Sequence, residues 1–503
     1  MASRTALAAD LSRSGVIPLA GVCAGGATLG FFAFYAFVTH VHRGAFLAET
    51  VFIASIPAGI AVAIALWQGY ARYFARRTGV SLELALTIDA VSWTLLILMW
   101  VGFLGTFGAS ATGRGIAVAL GAFALGKLIA AARFNRSVKD VAITFLVTRA
   151  PIILIAELAA VTIGQRPGIH VATSSNPALA VWGRWDAVHY IQIAAAGYYG
   201  TDMAFFPLYP LIISLIAKLT GSHLIAGLIL SNVALFFALL FFYKLVEHQY
   251  NRHVAQRAVF YISIFPTAVF FSAVYTESLF LALTVASFYY IREHKWLIAG
   301  IIGYCAALTR VEGVLLAVPF AIEWLRSPAA ASALRYPADN IVRPLVGLVL
   351  IPLGLGTYML YLWVLRGDPL FFSHVQINWN RHLAPPWQSV LHSYRLLATA
   401  HSGQVIANQF LELAFTALML AMLVVAIRRL SATYWTYMAL SILIPMSTSS
   451  LMSMPRFALV LFPMFVIFAV WGERPSFNNI IVAFSLPLLG LFTVLFADWY
   501  WVA

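Results

Sequence analysis

A chain of 503 residues that is 62% hydrophobic and only 10% charged, with a mean hydropathy of +0.89, has more apolar surface than one water-soluble core can bury. Its formal charge of +13 does not point to nucleic acid, because the basic residues fall in short loops between apolar runs, where membrane orientation places them. Two cysteines, Cys23 and Cys305, both inside apolar runs, exclude a disulfide framework.

In chain order, the first apolar run (16–38) is too long for a signal-peptide core and lacks a cleavage site, so a retained helix is expected. Further spans are expected near 51–67, 84–104, 115–132, 142–163, 223–243, 257–273, 278–291, 296–309, 313–325, 344–364, 405–427, 431–448, 457–471 and 479–497. The fold class is therefore an all-α polytopic membrane protein of about 15 transmembrane helices. The run 205–220 is short, carries Pro207 and Pro210, and is expected to be juxtamembrane or re-entrant. That choice puts Lys244, Arg252 and Arg257 in the cytoplasm together with Arg72, Arg133, Arg292, Arg326 and Arg428. Two long outer loops follow from it, about 164–222 and 365–404. Helices 296–309 and 313–325 are short for full spans and suggest a dip where Thr309, Arg310 and Glu312 turn.

Candidate chemistry collects on the outer face. In the segment Trp182-Gly-Arg-Trp-Asp-Ala-Val-His-Tyr190, Asp186 and His189 sit among aromatic rings that can hold a sugar or a lipid headgroup. Asp186 is readable as a general base or as the cap of an interfacial helix in an aromatic belt. His189, three positions on, shares a helical face with it, and an ordinary interfacial histidine is the competing reading. Glu277 begins a helix, where the dipole favours an acid whatever the function. Arg310 and Arg456 are each readable as a phosphate ligand or an interfacial anchor. The loop Gly367–Gln376, with Trp379, Arg381 and His382, is rich in side chains suited to a polar headgroup. No phosphate-cradling glycine loop or dinucleotide fingerprint appears, so the energy for any reaction must come with the substrate. No cofactor is expected, and a divalent metal has no ligand pattern to support it.

These motifs, in order, resemble the PIG-V-type mannosyltransferases, the GPI mannosyltransferase II family of the GT-C superfamily. The residues that carry the resemblance are Trp185-Asp-Ala-Val-His-Tyr190 with Gly197-Tyr198, Ala204-Phe-Phe-Pro-Leu-Tyr-Pro210, Tyr275-Thr-Glu-Ser278, Leu308-Thr-Arg-Val-Glu-Gly313, Gly367-Asp-Pro-Leu with Gln376, Trp379 and Arg381, Pro455-Arg-Phe with Phe462-Pro463, and the closing Trp499-Tyr-Trp-Val-Ala503. The resemblance implies a GT-C-like core over 141–503 with juxtamembrane helices in its large first outer loop; the chain departs from the family in the four-span extension over 1–140 that precedes this core, to which no role is assigned. It implies transfer of a hexose, mannose in the family, from a polyprenyl phosphate to a lipid or glycan hydroxyl, with inversion, on the non-cytoplasmic face. Asp186 matches the family's base. Arg310, Arg381 and Arg456, with His189, are the expected ligands of the donor phosphate, and Trp185, Tyr190, Tyr209, Tyr275, Glu277, Gln376 and Trp379 the expected substrate contacts. The expected location is a bacterial cell membrane, or the endoplasmic reticulum of a eukaryote, with the extension available to a membrane partner. The competing class is a multispan transporter or flippase of lipid-linked sugars, disfavoured because charge gathers at one face and no repeat is evident.

Overall fold

The computed structural model describes residues 136–163, 166, 168, 171, 173–331 and 338–502. The four spans expected before residue 136 lie outside the described residues. The site belongs to one compact unit, Asp140–Leu215 with His223–Ala503.

The described chain is helical throughout, without strands. Five helices are long and apolar enough to cross a membrane: Arg136–Ala160, His223–Gln249, Asn340–Arg366, Gly403–Arg429 and Pro475–Ala497, or six spans if the bent pair Met454–Val460 and Phe462–Trp471 counts as one. The other described runs expected to span form shorter helices. At 1.5 Å per residue, the 12 residues of Trp296–Ala307 span only about 18 Å against a hydrocarbon core of about 30 Å. The runs expected at 278–291 and 431–448 likewise form helices of 16 and 15 residues, Glu277–Arg292 and Ala432–Met446.

Label the helices that position the site α1 (Arg136–Thr162), α2 (Asp186–Ala196), α3 (Leu208–Thr220), α4 (His223–Gln249), α5 (Arg252–Ser263), α6 (Glu277–Arg292), α7 (Trp296–Ala307), α8 (Ala317–Arg326), α9 (Arg343–Arg366), α10 (Pro386–Thr399), α11 (Gly403–Arg429), α12 (Ala432–Met446), α13 (Met454–Val460), α14 (Phe462–Trp471) and α15 (Pro475–Ala497). The span expected over 257–273 breaks. Pro266 follows the end of α5, and a proline cannot continue a helical hydrogen-bond ladder. The carbonyls freed there need donors, and buried Arg149 of α1 supplies them: its guanidinium donates to Ala268 O at 2.8 Å and to Ser263 O. Pro463, at the start of α14, accompanies a 69° bend from α13, so the span expected at 457–471 is two half-helices.

Packing is closest where side chains vanish. A Cβ on Gly300 of α7 would lie 2.3 Å from the Gly347 carbonyl oxygen of α9, and one on Gly354 equally close to Tyr304 O. Small residues let two apolar helices approach backbone to backbone, which in a membrane replaces the hydrophobic drive that water would supply. Aromatic rings join the next layer: Phe288 of α6 meets Tyr434 and Tyr437 of α12 and Phe462 of α14 at 4.9–5.4 Å. Away from the site, Arg252 makes a two-pronged pair with Asp140 at 2.8 and 2.9 Å, and Arg292 pairs with Glu323 at 2.6 Å.

Candidate active site

The segment Trp182–Tyr190 makes a sharp reversal. Trp185 takes a left-handed φ of 57°, a conformation that costs a bulky L-residue about 1–3 kcal/mol. Its ring settles against Trp499 and Trp501 of the C-terminal tail at 5.6 and 5.3 Å, contacts that offset the strain. Trp185 is the residue that caps α2, and it makes no side-chain capping bond. Asp186, the first residue inside the helix, is therefore free of the capping role that competes with catalysis in the sequence.

The Asp186 carboxylate is a quarter exposed, on the wall of a cavity of about 1250 Å³. Arg456 Nη1 donates to its Oδ2 at 2.6 Å. The same guanidinium gives Nε and Nη2 to Oε1 of Glu277 at 2.8 and 2.7 Å, and it stacks over Tyr275 and Phe270 at 4.7 and 5.1 Å. Glu277 Oε1 also takes Arg310 Nη1 at 3.2 Å, and Arg310 Nε reaches Glu312 at 3.5 Å. Glu277, with no exposed side chain, is thus the hub that fixes two arginines. The turn carrying Arg456 is held in its own way: Ser453 has a φ of 75°, and the backbone N–H groups of Ser453 and Met454 donate at 3.0 and 2.9 Å to Glu412, a carboxylate buried in α11.

Arg381 stands apart. It lines the cavity, donates one nitrogen to Met452 O, and makes no ion pair among the described residues, and its Nε is buried without a partner. Burial pulls its guanidinium below the usual range, with Glu412 opposing. Its loop is fixed by Ser449 N–H to His382 O at 2.9 Å and Ala384 N–H to Ser447 O at 3.0 Å. Next to Trp185, Arg184 lies over the Trp499 ring at 5.4 Å, and both Arg184 and Asp498 are buried. Burial pushes Asp498 up and pulls Arg184 down to about 10, and each charge opposes the other's shift.

Of the residues singled out from the sequence, Trp185, Asp186, His189, Tyr190, Arg310, Gln376, Trp379, Arg381 and Arg456 line the cavity. Tyr209, Tyr275 and Glu277 do not. All three are fully buried: the Tyr209 hydroxyl pairs with Ser231 at 2.6 Å and the Tyr275 hydroxyl donates to Arg184 O at 3.1 Å, so they support the wall from behind. Arg456 also differs from expectation, since its nitrogens are given to carboxylates. The sequence reading gave no role to Glu312, Asp202, Glu412, Trp499 or Trp501. Glu412 carried the clearest signal, a lone carboxylate inside an apolar run. Among the described residues no three His, Cys, Asp or Glu side chains converge as metal ligands.

No curated protein matches the chain. The match that does arise covers Asp186, Glu277, Arg310 and Glu312, whereas Arg381, Arg456 and the C-terminal tail join the site by geometry alone. Residues 134–325 match the family model described as Mannosyltransferase (PIG-V), so this stretch of the chain, which holds the first part of the site, is similar to that family of glycosyltransferases.

Proposed function

We propose that the protein transfers a hexose, mannose by its family, from a polyprenyl phosphate to a hydroxyl of a lipid or glycan acceptor on the non-cytoplasmic face, inverting the anomeric centre. The observation that carries this reading is Asp186: a carboxylate held from behind by Arg456 at 2.6 Å and open in front to a cavity walled by aromatic rings. Asp186 takes the acceptor proton as the acceptor oxygen bonds to the anomeric carbon. The bond from that carbon to the phosphate oxygen breaks, and its electron pair leaves with the lipid phosphate. A double displacement needs a second carboxylate free to attack. Glu277 is sealed behind two arginines and Glu312 is engaged by Arg310, so a single displacement is favoured, and a single displacement inverts.

Charge that develops on the leaving phosphate calls for cations already in place. Arg381, with no carboxylate to satisfy, is the first such ligand, and Arg310 the second. Arg456 serves as the positioning residue for Asp186. No observation favours a carrier function over transfer. The test is transfer by the purified protein from synthetic polyprenyl-phosphate mannose and from a nucleotide-linked mannose, using a membrane lipid extract as acceptor and mass spectrometry of products. A hexose-bearing lipid formed with the first donor alone supports the proposal; efficient use of the nucleotide donor contradicts it.

A further inference from the structure

We propose that His189 and Asp202 form a recognition pair for one hydroxyl of the transferred hexose, with His189 Nε2 as the contacting atom and Asp202 as the residue that positions the ring. The proposal rests on the transfer reading above. The His189 Nδ1–H donates to Asp202 Oδ1 at 2.7 Å. Asp202 is buried, whereas the His189 side chain is 32% exposed and lines the cavity. With Nδ1 committed, Nε2 is the ring nitrogen left for a ligand.

The ring is also fixed in plane. Phe205 stacks on it at 4.7 Å, and Trp379 meets both rings edge-on, at 6.1 and 6.0 Å. These surroundings are aromatic faces, with the arginines gathered around Asp186 and in the Arg381 loop. A pyranose suits them: its C–H face packs on rings, and each hydroxyl needs one directional partner. A hydroxyl both donates and accepts, so it can meet Nε2 whether or not that nitrogen carries a proton. His189 lies three residues after Asp186 on α2, a spacing that sets side chains about 5–6 Å apart on one helical face, close to the width of a sugar ring. A hexose with its anomeric carbon at Asp186 thereby brings a hydroxyl of the same ring to Nε2.

Asp202 adds an independent observation. Its second oxygen, Oδ2, is buried without a hydrogen-bond partner. A buried carboxylate oxygen left unsatisfied is costly, so the fold retains Asp202 for the single bond it makes to His189.

The test compares kcat/KM for a polyprenyl-phosphate hexose and its four analogues lacking the 2-, 3-, 4- or 6-hydroxyl. The wild type should lose roughly 10-fold or more on one analogue, the penalty for a site built around a hydrogen bond that is not made. In His189→Ala that penalty should shrink toward unity, as a chemical double-mutant cycle requires. Asp202→Leu should behave like His189→Ala, and Asp202→Asn, which keeps an accepting oxygen, should retain most of the discrimination. Where a variant is too slow to assay, the same ratio is read from donor Kd values, and thermal unfolding checks that the variant is folded. An undiminished penalty in folded His189→Ala overturns the pair while leaving transfer intact. Absence of transfer by the wild type from every lipid-phosphate hexose overturns the transfer reading, and the pair with it.

Discussion

At Asp186 an acid in the first turn of a helix becomes a reaction group through the residues that hold it. Arg456 aims one carboxylate oxygen, Glu277 aims Arg456, and Arg310 shares Glu277, so two cations and three carboxylates lock one another. Taking one of its buried members, Glu277 or Arg456, from this network costs about 3–5 kcal/mol, because a charge is left uncompensated. Arg381 lies outside the lock, which makes it the cleanest probe of donor binding. Arg381→Ala should raise the donor KM at least 10-fold with folding unchanged, and Arg381→Lys should recover only part, since an ammonium lacks the planar two-pronged contact with phosphate oxygens. Steady-state kinetics with polyprenyl-phosphate mannose decide this; an unchanged KM in Arg381→Ala removes it from the phosphate site. The sequence places Arg310 and Arg456 at the ends of apolar runs and Asp186 and Arg381 in the long outer loops, and so all four are visible as candidates. It does not show who pairs with whom. Glu277 looks like a sugar contact in a motif and is a buried counter-ion in the fold, because partners 33 and 179 positions away decide its role.

Among elements, breaks and close approaches build the site. α7 stops at Ala307, and the chain turns through Thr309, Arg310 and Glu312 before α8, leaving the dip that the short apolar runs suggest. Gly313 makes that turn possible: a Cβ there would lie 2.3 Å from the Ala306 carbonyl carbon and the Ala307 nitrogen. Gly313→Ala should therefore destabilise the protein by about 1–3 kcal/mol through overpacking against backbone. Gly356→Ala on α9, where an added Cβ meets nothing within 4 Å, should be neutral or slightly stabilising. Thermal unfolding of the two variants in one detergent checks the contrast, and equal midpoints contradict the close-approach argument. The break after α5 was hidden in the sequence because the apolar run continues through Pro266 into Phe270 and Phe271. Hydropathy alone does not reveal where a chain turns inside an apolar environment, so a broken run and a continuous span look alike in the sequence.

For the whole molecule, the functional reading requires the cavity and both long loops to face away from the cytoplasm. The first outer loop and the loop after α9 both contribute cavity residues, while the α11–α12 connection carries Arg428 and Arg429, as a cytoplasmic turn should. In a background lacking Cys23 and Cys305, cysteines at the exposed positions Ser175 and Ser373 should react with an impermeant thiol reagent in intact cells, and one at exposed Ser431 should not. The reverse labelling pattern overturns the orientation. Ser327, in a turn expected to be cytoplasmic, is too buried at 6% exposure to report on sidedness. The central claim is that Asp186 removes the acceptor proton, and the most direct measurement is the single-turnover rate of hexose transfer by Asp186→Asn beside the wild type, with donor binding measured on the same samples. The account predicts a rate lower by roughly 10²-fold or more, since the amide keeps the shape and loses the basicity, with donor affinity retained. A near-normal transfer rate in the folded variant contradicts it.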